Sequence, residues 1–95
     1  MTTLPIKKQW FDMIVSGEKK EEYRENNRYY MSRFGAHLNQ KITIRLRNGY
    51  RKDSPSAICE VIPCIKAGNP EWGAEPNKMY ITLQIFSVRL EIEKQ

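Results

Sequence analysis

Metal ligands, disulfide partners and long apolar runs are what this chain has least of. His37 is the only histidine, and Cys59 and Cys64 form no ligand pair with it at zinc spacing. The two cysteines stand five positions apart in a strand-like stretch, so they face opposite sides and no disulfide closes between them. Both are expected as reduced thiols, which suits a cytoplasmic protein. No apolar run approaches the ~20 residues of a transmembrane helix, so no membrane partner is expected. Lys7 and Lys8 are not followed by an apolar segment, which argues against a secretion signal. No motif calls for a metal or a cofactor, and no internal repeat or low-complexity segment is present.

Acids are missing from one stretch in particular. Between Asn26 and Lys52 lie Arg28, Arg33, Lys41, Arg45, Arg47, Arg51 and Lys52, with no Asp or Glu. The whole chain has a formal net charge of +5, so this tract exceeds it and the remainder is slightly acidic. Segregated cationic charge is the electrostatic footprint of a phosphate-backbone binder. The plainer alternative is a solvated face that keeps the protein soluble. Tyr29, Tyr30 and Tyr50 share the tract, and aromatics among arginines suit single-stranded RNA, where bases stack and phosphates pair. Core roles for Tyr29 or Tyr30 compete with that reading.

What remains is ordinary globular material, 40% hydrophobic and 28% charged. Ninety-five residues make a single domain, 1–95, with one modest core. Leu4-Pro5-Ile6 reads as a short extended entry, because the residue before proline avoids the helical region. From Lys7 to Ser16, Trp10 and Ile14 and likewise Phe11 and Val15 stand four apart, which predicts an amphipathic helix stopped by Gly17 in a left-handed conformation. Lys20 to Glu25 alternates as a strand, with Lys20, Glu22 and Arg24 on one face and Glu21, Tyr23 and Glu25 on the other. Asn26-Asn27 breaks it, and a short helix over Arg28–Phe34 is expected to end at Gly35.

Lys41 to Arg47 is the cleanest strand, with Ile42, Ile44 and Leu46 on one side and Lys41, Thr43, Arg45 and Arg47 on the other. Asn48-Gly49 marks a turn. Ser56 to Ile65 is a second strand, where Pro63 argues for an edge or a bulge. A loop over Ala67–Asn77 holds Trp72, either a lid anchor or an exposed stacking surface. In Met79 to Ile92 the apolar phase slips at Ile85-Phe86, from Met79, Ile81, Leu83 and Ile85 to Phe86, Val88, Leu90 and Ile92. Such a slip implies a bulge that turns a barrel corner. The class is therefore α+β: a small barrel of about five strands, closed or nearly so, with two short helices plugging one end.

The organising stretch is Gly17-Glu18-Lys19-Lys20-Glu21-Glu22-Tyr23-Arg24, where charges of both signs crowd a helix-to-strand junction. It is either a solvated edge, worth ~0–1 kcal/mol per ion pair, or the lining of a pocket. On these residues the chain resembles the ASCH domain, a branch of the PUA-like superfamily. The preceding helix, the Ile42–Arg47 strand, the Cys59-Glu60-Val61 strand and the run from Met79 extend the resemblance over nearly the whole chain. It implies a PUA-like barrel beside a helix-lined cleft, with Lys19, Glu22 and Arg24 facing that cleft, and association with RNA or a nucleotide. Some similar proteins are small amidohydrolases acting on acylated cytidines, and others are ribonucleases. The amidohydrolases use a lysine, a threonine nucleophile and a glutamate. Lys19 matches the lysine and Glu60 is aligned with the glutamate, but Glu22 occupies the threonine position, which removes the hydroxyl nucleophile.

The first expectation is accordingly an RNA- or nucleotide-binding module. Lys19 supplies an ammonium, Glu22 holds a base edge, Arg24 grips a phosphate bidentately, and Arg45, Arg47 and Trp72 complete the ligand contacts. The alternative is a small hydrolase of modified nucleosides or of RNA, with Lys19, Glu22 and Glu60 as its catalytic candidates. Glu60 must then point inward and pair with Lys19 or Arg24. If the Ala57, Cys59 and Val61 face is the core, Glu60 is merely exposed. A protein-interaction module anchored on Trp72 is the third possibility.

Overall fold

The computed structural model describes residues 1–91 of the chain. The strands are β1 (Thr2–Ile6), β2 (Glu21–Glu25), β3 (Ile42–Asn48), β4 (Ser56–Ala67) and β5 (Met79–Glu91), with helix α1 (Lys8–Val15) between β1 and β2 and helix α2 (Arg28–Phe34) between β2 and β3. They form one mixed sheet in the order β1-β3-β4-β5-β2. β1 runs parallel to β3, and every other pairing is antiparallel. The sheet curls into a half-barrel, an α+β architecture compatible with a small PUA-like barrel. It does not close by strand pairing: β1 and β2 end the sheet as two edges. One side chain spans the seam, where an Arg24 Nη2 donates to the Pro5 carbonyl at 2.9 Å.

The core lies on the inner face. Leu4, Ile6, Ile44, Leu46, Ala57, Cys59, Val61, Ile81 and Leu83 from the sheet meet Phe11 and Ile14 of α1 and Phe34 of α2. Burying such side chains stabilises the fold by ~1.5–3 kcal/mol each before conformational entropy is subtracted. α1 stops as its sequence dictates: Gly17 adopts φ +86°, and its N–H donates to the Ile14 carbonyl at 3.1 Å. α2 is capped by Asn27, whose side chain accepts from the Tyr30 N–H at 2.9 Å. Gly35 does not terminate it in the left-handed region. It has φ −59° and leads into a 3-10 turn at Gly35–His37.

Three local features depart from or refine the sequence pattern. The extended entry is a true strand, with Pro5 at the sheet edge opposite Arg47, where its missing N–H leaves no ladder bond unmade. Pro63 sits in β4, an interior strand, beyond the end of its pairing with β3; the Asn39 N–H donates to the Pro63 carbonyl instead. The phase slip in β5 is a bulge. Glu60 pairs with Ser87 and Val61 with Ile85, so Phe86 is left without a partner. Both Phe86 and Ser87 then point outward, and Val88 returns to the inner face opposite Cys59. Phe86 and Leu90 remain half exposed, and Ile92, assigned to the same apolar phase, falls outside the described residues. Among the described residues no helix is long and apolar enough to cross a membrane.

Candidate functional site

Pairing puts Glu22 opposite Leu83 and Arg24 opposite Ile81, so both project from β2 onto the inner face, at its open margin. Lys19 enters from the α1–β2 junction, where its N–H is fixed by the Met13 carbonyl at 2.9 Å. The three charges are contiguous. Lys19 Nζ lies 3.2 Å from Glu22 Oε1, and Arg24 Nη2 lies 2.7 Å from Glu22 Oε2. Their side chains are 1%, 9% and 12% exposed, which separates them from a solvated ion-pair ladder.

Lys19 is the most enclosed of the three. Its ammonium donates to the Trp72 carbonyl at 2.7 Å and sits between two aromatic faces, 5.1 Å from the Trp10 ring centroid and 4.8 Å from that of Tyr23. Burial pushes its pKa below the ordinary lysine value, and Glu22 opposes that shift. The carbonyl is presented by a short 3-10 turn, Pro70–Trp72, closed by Gly73 at φ +99°. A Cβ on Gly73 would stand 3.0 Å from the Trp10 ring, so both the backbone angle and the close approach require glycine here.

A second polar chain lies on the outer face of β2. The Tyr23 hydroxyl donates to Glu21 Oε1 at 2.7 Å and accepts from the Asn69 N–H at 2.8 Å, and Glu21 also pairs with Lys66. Burial raises the Tyr23 phenol above its ordinary range, so it stays protonated as a donor. These bonds pin the Gly68–Ala74 loop over Tyr23 and thereby hold the Trp72 carbonyl against Lys19.

The open seam is a cleft of about 710 Å³. Pro5 and Ile6 form one bank and Glu22, Tyr23 and Arg24 the other, with Tyr30, Tyr50 and Tyr80 around them and Lys7 and Lys8 at the rim. The cleft is the size of a small-ligand site, lined by aromatic surface with a few convergent polar groups. Arg24 stacks near Tyr30, 5.9 Å from its centroid, and its Nε is buried with no partner among the described residues. Tyr50 is 88% exposed at the mouth.

Of the residues singled out from the sequence, Lys19, Glu22 and Arg24 converge, though Lys19 supports the cleft from behind and does not line it. Glu60 does not join them. Ala57, Cys59 and Val61 are the buried face of β4, and Glu60 is exposed on the other, accepting from the Ser87 hydroxyl at 2.9 Å. An inward Glu60 paired with Lys19 or Arg24 is therefore corrected: strand alternation sends it outward. Arg45 and Arg47 project from the outer face of β3, with Arg45 bound to Glu91, and take no part in the cleft. Trp72 contributes its carbonyl to Lys19 and is neither a lining ring of the cleft nor fully exposed. Trp10 and Tyr23 were not expected here, since helical spacing marks Trp10 as core and alternation puts Tyr23 on the opposite strand face. Cys59 and Cys64 are both free, and burial lifts the Cys59 thiol to about 11.

Comparison with protein-family models, with curated proteins and with solved structures gave no match.

Proposed function

We propose that this chain is an ASCH-like, PUA-like module that binds RNA or a nucleotide in the seam between β1 and β2. The observation that carries the reading is the cleft of about 710 Å³ in which a guanidinium, Arg24, is held in place beside tyrosine rings. Glu22 and the Pro5 carbonyl both engage its Nη2, which leaves Nη1 for an anionic ligand. Tyr30 and Tyr50 offer faces on which a base stacks, and the acid-free tract from Arg28 to Lys52 adds attraction for phosphates. The resemblance at Gly17–Arg24 supports the same reading.

Tyr50 gives a clean test because its exposure separates binding from folding. Tyr50→Ala is expected to weaken binding of single-stranded RNA by ~1–3 kcal/mol, the range for one base stacked on an aromatic side chain. Fluorescence anisotropy with labelled oligonucleotides measures it. Unchanged affinity, or no RNA binding by the native chain, would reject the proposal.

Hydrolysis of acylated cytidines or of RNA has one observation in its favour, the lowered pKa of Lys19. Against it, the ammonium is already engaged by Trp72, Glu22 and two rings, and Glu60 is on the far face. Turnover of either substrate that disappears in Lys19→Met while RNA binding persists would restore the enzymatic reading.

A further inference from the structure

A second hollow, of about 530 Å³, opens on the outer face beside the first. The β3–β4 connection is the wall they share: Asn48, Gly49 and Tyr50 line the cleft, and Lys52, Asp53, Ser54 and Pro55 line the second hollow with Arg45, Arg47, Ser56 and Glu91. Its charges are not balanced locally. Glu91 is taken by Arg45, with Nε to Oε1 at 2.6 Å and Nη2 to Oε2 at 3.2 Å, and it also accepts from the Ser56 hydroxyl at 2.6 Å. Asp53 is paired with Arg51, 3.3 Å away. Both carboxylates are thus engaged, while Arg47 and Lys52 have no ion-pair partner among the described residues. Arg47 goes further: its Nε is buried and makes no hydrogen bond. A buried guanidinium N–H without an acceptor is a place where an acceptor belongs.

We propose that this second hollow takes a phosphate of the nucleic-acid strand whose neighbouring nucleotide occupies the cleft, with Arg47 and Lys52 as its cationic contacts. The inference rests on the nucleotide-binding reading of the cleft and makes it more specific: the ligand is an oligonucleotide that crosses the β3–β4 connection at Tyr50, not a free mononucleotide. A single nucleotide fills only the seam. A strand continuing over the connection brings its next phosphates to an outer hollow where guanidinium and ammonium charge is uncompensated.

The test compares a single-stranded RNA pentanucleotide with the four nucleoside monophosphates, by isothermal titration of the full chain and of Arg47→Ala/Lys52→Ala. The pentanucleotide is expected to bind at least tenfold more tightly than any monophosphate. The double variant should lose that advantage, reduce the salt dependence of pentanucleotide binding, and weaken monophosphate binding far less than pentanucleotide binding. Lys52→Ala alone, at an exposed position, serves the same purpose if the double variant does not fold. Equal affinity for pentanucleotide and monophosphate in the native chain would overturn this inference and leave the proposed function standing. So would a double variant that keeps the full advantage, or one that weakens both ligands equally. Failure of every nucleotide to bind would remove both.

Discussion

Lys19 shows what a buried charge at a junction does to the residues around it. Its ammonium has left water, and its neighbours are a carboxylate, a carbonyl and two rings, so removing any one exposes the imbalance of the rest. Truncating one member of a buried ion pair costs ~3–5 kcal/mol, chiefly because the other charge stays behind. Lys19→Ala is expected to fall in that range in chemical denaturation. Lys19→Met should cost less, since it fills the volume and leaves Glu22 paired with Arg24. Glu22→Gln should be the worst, because it strands two cations. Equal stability of all three variants would mean that the trio is solvated in solution. Because burial lowers the Lys19 pKa, its charging penalises the fold fully below that depressed value, and the penalty is relieved as pH rises through it toward 10.5. Alternation made Glu22 and Arg24 legible as a pair before any coordinates, as both fall on one face of a short strand. The Trp72 carbonyl was not legible, because a backbone group 53 positions away leaves no mark in local periodicity. Glu60 was left open for a related reason: Ile58, Ile62 and the Ala57-Cys59-Val61 set are all apolar, and only the helices decide which side is covered.

At the scale of elements, β5 is the strand on which the sheet depends. It pairs with both β4 and β2, and at its far end Glu91 binds Arg45 of β3 and Ser56 of β4. Those bonds hold the Glu91 carboxyl at about 2, well below its ordinary 4.5. A carboxylate depressed in this way adds stability that is complete above pH 4.5 and is lost as pH falls toward about 2. Glu91→Gln is therefore expected to lower the unfolding midpoint by its full amount near neutrality and to flatten the acid limb between those values, so that the two curves converge toward pH 2. An unaltered acid limb would place Glu91 in solvent. The strand's bend was legible as a slip in the apolar phase, because a bulge adds one residue and the count of two fails at that point. Which half of the strand is covered was not, and Leu90 shows why: it occupies an inward register yet stays half exposed.

The whole molecule combines an open half-barrel with charge gathered on one segment of chain. If the tract from Arg28 to Lys52 attracts RNA, log K should fall linearly with log salt, by about 0.7 for each phosphate neutralised on a single strand. Titrations at several salt concentrations measure that slope, and a flat line would leave stacking alone as the basis of binding. The barrel class was readable from five β-rich runs and a corner. The seam was not, because the register that leaves β1 and β2 apart depends on how far the sheet curls.

That seam bears on the risk of strand-to-strand aggregation. Two bare strand margins are templates on which a foreign strand can dock and seed fibrils. Here one margin carries Pro5, which has no N–H to offer, and the other carries Glu21 and Glu25, anchored by Lys66 and Lys78. Pro5 and Glu25, which border the cleft, thus also guard against misassembly, so variants that neutralise Glu21 or Glu25 deserve to be screened for turbidity.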